Sequence, residues 1–156
     1  MEVLDPVSKV LRQKSGDVIS IRSDESVYSA IELLAEKKIG ALLVIDDGQL
    51  VGVLSERDYA RKVILKGKHS KETLIREIMT TSPITVGLDC SVDEAMRTMS
   101  THKFRHLPVM GADGRVAGVL SIGDLVNWLL LSQEEAIKRM ENYISGGHAA
   151  SAVSGG

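Results

Sequence analysis

The sequence predicts an α+β fold: two copies of a β-α-β-β-α unit packed pseudo-symmetrically into one module. Three features of the chain point there. Residues 19–59 align with residues 84–125 once a single residue is inserted near Asp113, and self-similarity at a fixed period marks a duplicated unit. Inside each copy the apolar pattern passes from alternation to a helical stripe and back to alternation, the change from strand to helix to strand. One copy alone could barely bury a core, whereas two copies packed sheet to sheet within the 156-residue chain can do so.

The elements follow in order. Residues 1–14 carry Leu4, Val7, Val10 and Leu11 at helical spacing and predict a leading helix. A short alternating strand opens each copy, at 18–21 and 84–86. The helix after it buries Val27, Ala30, Ile31 and Leu34 in the first copy, and Val92, Ala95, Met96 and Met99 in the second. Ser26 is placed to cap the first of these helices. Ser91-Val92-Asp93-Glu94 reads as a capping box at the second, serving two free N–H groups.

Two strands come next, at 41–45 and 50–54, joined across Asp46-Asp47-Gly48. Their counterparts lie at 107–110 and 116–120, joined across Gly111-Ala112-Asp113-Gly114. Asp-Gly between apolar runs marks a hairpin because Gly accepts positive φ. A closing helix begins near Asp58 or Asp124; the first should stop at Gly67, and the second should continue past Trp128 and Met140 towards Gly146. The resulting division is 1–66 for the leading helix and repeat 1, 67–82 for a linker helix with Leu74, Ile75, Ile78 and Met79, 83–145 for repeat 2, and 146–156 for a flexible Gly/Ala/Ser tail.

Composition narrows the function. Apolar residues are 44% and charged residues 26%, values ordinary for a globular chain. Aromatics are only 3%, so base stacking has little material, and the formal charge of -2 offers no basic face for a duplex. The Lys and Arg residues around 57–71 read as a solvated helix and loop. Cys90 is the single cysteine; it cannot form an internal disulfide and suits a reducing compartment. No run of ~18 apolar residues is present, so neither a span nor a membrane partner is expected and the cytoplasm is the default location. His102 and His106 stand four apart, a zinc-like spacing, but the helix should end between them near Lys103 and no third ligand is evident. Met79, Met96, Met99, Met110 and Met140 lie on apolar stripes and read as core; Trp128 fits core packing or a dimer contact equally.

The most specific repeated element is Gly52-Val53-Leu54-Ser55, which recurs as Gly118-Val119-Leu120-Ser121, with Asp58 and Asp124 three residues after each serine. Spacing alone puts a hydroxyl and a carboxylate at one strand-to-helix corner. Asp58 and Asp124 could be simple helix N-caps, and Ser55 and Ser121 could bond back to the turn. Arg105 could be a rim charge and His106 a satisfied interior histidine.

With Ile39-Gly40-Ala41-Leu42-Leu43-Val44, Glu77-Ile78-Met79-Thr80 and Phe104-Arg105-His106-Leu107-Pro108-Val109, these motifs make the chain resemble a tandem pair of CBS domains, a Bateman module, from about Leu4 to Ile144. It resembles short stand-alone bacterial CBS-pair proteins and their plant organellar relatives. The resemblance implies a cleft between the repeats that holds an adenine nucleotide such as AMP, ADP, ATP or NAD(H). Ser55, Asp58, Ser121 and Asp124 would meet ribose and phosphate, and Ile19, Ile39 and Ala41 would wall the adenine. Arg57, Arg105 and His106 would meet the phosphates. Ser20, Gly40, Thr85 and Pro108 complete the implied cleft set. Gly123 stands opposite Arg57, and Gly40-Ala41 opposite Arg105-His106, so the two sites should differ in affinity or ligand.

The resemblance thus implies a regulatory sensor, not an enzyme, commonly a homodimer, that signals in trans to a partner protein. A nucleotide-processing enzyme is the main alternative, but no Lys-bearing phosphate loop, Gly-x-Gly-x-x-Gly or catalytic triad stands out. An RNA- or DNA-binding module is the other, against the charge balance.

Overall fold

The computed structural model describes residues 3–14 and 18–154, with side chains through residue 145. Its elements run α1 (Val7–Gln13), β1 (Ser20–Ile21), α2 (Val27–Lys37), β2 (Ala41–Asp46), β3 (Gln49–Ser55), α3 (Glu56–Tyr59) continuing into a π-helical turn (Ala60–Ile64), α4 (Ile75–Ile78), β4 (Thr80–Thr81), β5 (Val86–Gly87), α5 (Val92–His102), β6 (His106–Met110), β7 (Val116–Ser121) and α6 (Ile122–Ser154). The fold is α+β, with one sheet ordered β1-β2-β3-β4 and a second ordered β5-β6-β7. In both, a short first strand pairs in parallel with the second, which pairs antiparallel with the third. The register breaks at matching points, between Val44 and Ile45 and between Val109 and Met110.

Local chemistry explains most boundaries. Asp47 (φ 50) and Gly48 (φ 81) form the tight turn of the first hairpin, as the Asp-Gly pair predicts. The Ser26 hydroxyl accepts from the Ser29 amide, and the Ser91 hydroxyl from the Glu94 amide. The expected capping box at Ser91 is only half formed. The next two free amides of the helix, those of Val92 and Asp93, donate to the carbonyls of Asp5 and Val3, on the segment leading into α1. The helix after β3 ends at Leu65, and Gly67 (φ 69) turns the chain away, where a stop was expected. Helix α6 does not end towards Gly146 but is helical through Ser154. The tail expected to be flexible, 146–156, lies beyond the residues whose side chains are described, and 155–156 lie outside the described residues altogether.

Packing crosses between the repeats. Val7 and Val10 of α1 join Val92, Ala95, Met99, Leu107 and Leu120 in the core of repeat 2. Ile75 and Ile78 of α4 join Val27, Ala30, Leu42 and Leu54 in the core of repeat 1. The leading helix therefore seals the repeat farther from it in sequence, and the linker helix seals the first. Backbone bonds repeat the symmetry: Val7 N–H to Cys90 and Val92 N–H to Asp5 on one side, Ile75 N–H to Glu25 and Val27 N–H to Thr73 on the other. The duplicated glycines mark the crossing points. A Cβ on Gly118 would lie 2.7 Å from Leu11 Cδ2, and one on Gly52 would lie 2.9 Å from the Thr80 carbonyl and 2.6 Å from Met79 Sδ. At Gly52 the backbone of β4 leaves no room for a Cβ, whereas at Gly118 the obstacle is the end of the Leu11 side chain.

Several core expectations are corrected, Met79, Met96 and Met110 being only partly buried. Leu4 is 71% exposed, and Val3 takes the buried place before α1. Met140 is 65% exposed, on a stretch of α6 where Leu131, Ile137 and Ile144 are exposed as well. Ile31 is only partly buried against the repeat 1 core. Trp128 is half-buried against the repeat 2 core, and its indole N–H donates to Asp5 at 3.2 Å. No helix among the described residues is long and apolar enough to cross a membrane.

Candidate functional site: two clefts between the repeats

Two clefts open between the repeats, of about 650 and 580 Å³. Both volumes fall within the range of small-molecule sites. Each takes its opening strand and pre-sheet loop from one repeat and its Ser-x-x-Asp corner from the other. Cleft A combines Val18, Ile19, Ile39 and Gly40 with Pro108 and Ser121. Cleft B combines Pro83, Ile84, Phe104 and Arg105 with Ser55 and Asp58. Gly40, Ala41, Val53, His106 and Pro108 line both and form the wall between them.

The corners form because a strand ends and a helix starts at the same residue. At the first, the Ser55 amide and hydroxyl both donate to Asp58 Oδ2, at 2.9 and 3.1 Å, while Ser55 Oγ accepts from the Asp58 amide at 3.1 Å. At the second, the Ser121 amide donates to Asp124 Oδ2 at 2.8 Å and Ser121 Oγ accepts from the Asp124 amide at 3.0 Å. The serine is thus the helix cap and the aspartate closes the box, the reverse of the plain reading in which Asp is the cap. Lys62 braces Asp58 Oδ1 at 3.2 Å and also donates to the Ile78 carbonyl. Burial opposes ionisation of Asp124, but the Ser121 amide and Lys14 outweigh it and hold the carboxyl below its usual range.

Of the residues singled out from sequence, cleft A gathers Ile19, Ile39, Gly40, Ala41, His106, Pro108 and Ser121, with Asp124 one hydrogen bond behind Ser121. Cleft B gathers Gly40, Ala41, Ser55, Arg57, Asp58, Arg105, His106 and Pro108. Arg57 and Arg105, one from each repeat, therefore share a cleft. Ser20 and Thr85 are exposed and among the described residues line neither cleft, although Ile19 and Ile84 do. In β1 (Ser20–Ile21) the period of two turns Ile21 inward and Ser20 outward; Thr85 stands just before β5, which begins only at Val86 rather than at 84, and faces solvent. The sequence reading missed Lys14, Lys37 and Lys38 in cleft A and Arg61 and Lys103 in cleft B. Lys38 and Lys103 are a repeated pair at the left-handed ends of α2 and α5, so the duplication could have found them. Nothing local could have found Lys14, whose ammonium reaches Asp124 across 110 positions at 2.9 Å.

His102 closes α5, with its ring stacked on Phe104 and its Nδ1 3.0 Å from the Thr98 carbonyl. Burial, with Glu94 nearby, pushes the Cys90 thiol up to about 11, so it is protonated and unreactive at neutral pH. His106 is half-buried in the shared wall. Burial lowers its pKa first, Lys14 and Arg105 lower it further, and Asp124 and Glu56 push it back up. A histidine held below its unfolded value of ~6.5 binds fewer protons when folded. Folding stability is therefore full above that value and declines as pH falls through it towards the lower folded value. In chemical unfolding between pH 7.5 and 5, His106→Gln should flatten this decline; a slope unchanged by the substitution would show that His106 does not carry it.

A duplicated β-α-β-β-α unit with two ligand-sized clefts between its halves defines a tandem module in which each cleft is built from both repeats. The chain belongs to the CBS-domain family, whose model matches residues 7–65 and 75–131. It is similar to the mitochondrial CBS domain-containing protein CBSX3 of Arabidopsis thaliana, at 35% identity over 91% of this chain and 73% of the relative. It spans far less of longer CBS-bearing relatives, such as 26% of the Arabidopsis protein CBSCBSPB5, to which it is 34% identical over 94% of its own length. Among solved structures it resembles a CBS-domain protein from Burkholderia ambifaria MC40-6, with a TM-score of 0.79 and 42% identity over 83% of this chain and 96% of that one. It also resembles the CBS domain pair of protein MJ0100, solved with 5′-methylthioadenosine and S-adenosyl-L-methionine, with a TM-score of 0.71 and 28% identity over 81% and 96% of the two chains.

Proposed function

We propose that this CBS pair is a regulatory sensor, not an enzyme, that binds an adenine nucleotide (AMP, ADP, ATP or NAD(H)) in the clefts between its repeats and signals in trans. The observation that carries this reading is the pair of matched Ser-x-x-Asp corners, one at each cleft. A ribose diol donates two hydrogen bonds that one carboxylate can accept, and apolar walls such as Ile19 and Ile39, or Ile84 and Phe104, accept the base. Cationic side chains near both corners suit phosphate. The adenosine-containing ligands of the MJ0100 pair support the same class.

Because both clefts lie between the repeats, a ligand that fits one inter-repeat angle better shifts the population towards it. The surface for reading that shift is α6, where Val126, Leu130, Ile137 and Ile144 are exposed at helical spacing. A homodimer would bury this row, and the angle between its modules would then follow occupancy. A cytoplasmic location suits Cys90, which a reducing compartment keeps as a thiol.

Native mass spectrometry of the purified chain tests both points. The expected spectrum is a dimer carrying adenine-nucleotide mass that is lost on collisional activation. A protein that stays ligand-free after incubation with AMP, ATP, NAD and S-adenosylmethionine would end the sensor reading, and turnover of any of them would replace it with the enzyme.

A further inference from the structure

Cleft A contains a lysine with no counterpart in cleft B. Helices α1 and α4 are equivalent sealing elements, and Val7 and Val10 correspond to Ile75 and Ile78. On that correspondence Lys14, just past α1, matches Ser82, just past β4. Both line their clefts, but only the lysine reaches the corner. Its ammonium donates to Asp124 Oδ2 at 2.9 Å and to the Val119 carbonyl at 2.8 Å. Asp58 also has an ammonium partner, but Lys62 approaches from its own helix, is tied to the Ile78 carbonyl and does not line cleft B. Lys62 braces its carboxylate from behind, whereas Lys14 stands in the cleft.

A carboxylate oxygen accepts about two hydrogen bonds. Asp124 Oδ2 already receives the Ser121 amide and Lys14, which leaves Oδ1. A ribose diol that bridges the carboxylate, one hydroxyl to each oxygen, therefore competes with the lysine for Oδ2. The Lys14 side chain is partly exposed, at 41%, so it can swing without unfolding α1. It needs a new anion when it does, and among the described residues the other charged or titratable groups lining cleft A are Lys37, Lys38 and His106, with no carboxylate.

We infer that Lys14 sets the ligand selectivity of cleft A, admitting phosphorylated adenosine and discriminating against the bare nucleoside. This rests on the adenine-nucleotide reading above. A phosphate accepts the displaced ammonium as the ribose takes Asp124, so one ion pair is exchanged for another. A neutral nucleoside breaks the Lys14–Asp124 pair and returns nothing to the lysine. Lys14 is thus both the gate over the ribose acceptor and the phosphate ligand that the Gly123 position lacks.

Titration calorimetry with adenosine and with AMP tests the assignment in an Asp58→Ala background that isolates cleft A. Asp58→Asn, which keeps an acceptor for the Ser55 amide, serves if the alanine variant does not fold. Lys14→Met should tighten adenosine and weaken AMP, so that the AMP-to-adenosine preference falls by about tenfold, the scale of one charge-assisted hydrogen bond. Lys14→Arg should restore the preference. Equal weakening of both ligands, or an unchanged ratio, overturns the role of Lys14 while leaving the sensor standing. A chain that binds neither ligand with Lys14 and Asp58 both native overturns the sensor itself, and the gate with it.

Discussion

Asp58→Ala and Asp124→Ala should each remove one binding event from a calorimetric titration with adenine nucleotide, and the two losses should not match. Each substitution deletes the carboxylate that the ribose would use. Truncating one partner of a charged hydrogen-bonded pair costs about 2–4 kcal/mol, or roughly thirty- to a thousandfold in affinity. Each also weakens the start of a helix, since both aspartates bond back to the serine that caps it; that part costs about 1 kcal/mol and appears in thermal unfolding rather than in binding. The asymmetry comes from the cations. Cleft B gathers Arg57, Arg61, Lys103 and Arg105, and cleft A gathers Lys14, Lys37 and Lys38. Guanidinium groups grip phosphate oxygens in pairs, whereas ammonium groups act as point charges. Asp58→Ala should therefore cost most against ATP. Equal losses from both variants for AMP, ATP and NAD alike would refute the non-equivalence of the clefts.

Val7→Asp should destabilise the chain by about 3–5 kcal/mol, the cost of an uncompensated buried charge. Val7 is fully buried among Val92, Ala95, Leu107 and Leu120, and the sequence order gives no hint of this company. The damage should centre on repeat 2. Hydrogen exchange should speed first in α5, β6 and β7, while α2, β2 and β3 keep their protection until global unfolding. Exchange that quickens first in repeat 1 would contradict the crossed packing of α1. Since cleft A also takes Leu11 and Lys14 from this segment, its ligand affinity should fall with the same substitution.

Much of the architecture was legible because it is written in local periodicity. The helices α2 and α5, the Asp47-Gly48 turn and the Ser26 and Ser91 caps depend on patterns within a few residues, and each appears where its pattern placed it, with Ile31 and Met96 at the edge of their stripes only partly buried. Duplication added a second copy of every signal. The misreadings fall where the partner is remote. Leu4 has the right spacing for α1 but faces solvent, because the bridge between Pro6 and Ser91 starts the helix later than periodicity suggests. Met140 continues the apolar stripe of α6 past Trp128 and Leu129, which pack on the repeat 2 core, into a stretch that is exposed. At the start of α5 only the Ser91 side-chain half of the expected capping box forms, and the Val92 and Asp93 amides are served by remote carbonyls from the segment before α1.

By itself the sequence determined the two repeated units, the hydroxyl and carboxylate at each corner and the family, because these depend on residue type at short spacing. Tertiary structure alone decided which corner faces which opening strand, that Arg57 and Arg105 share one cleft, and that Lys14 meets Asp124 in the other. The physical reason is that each sealing helix crosses to the opposite repeat. Residues far apart in the chain then become neighbours through packing, and packing leaves no periodic trace in the segments that it joins.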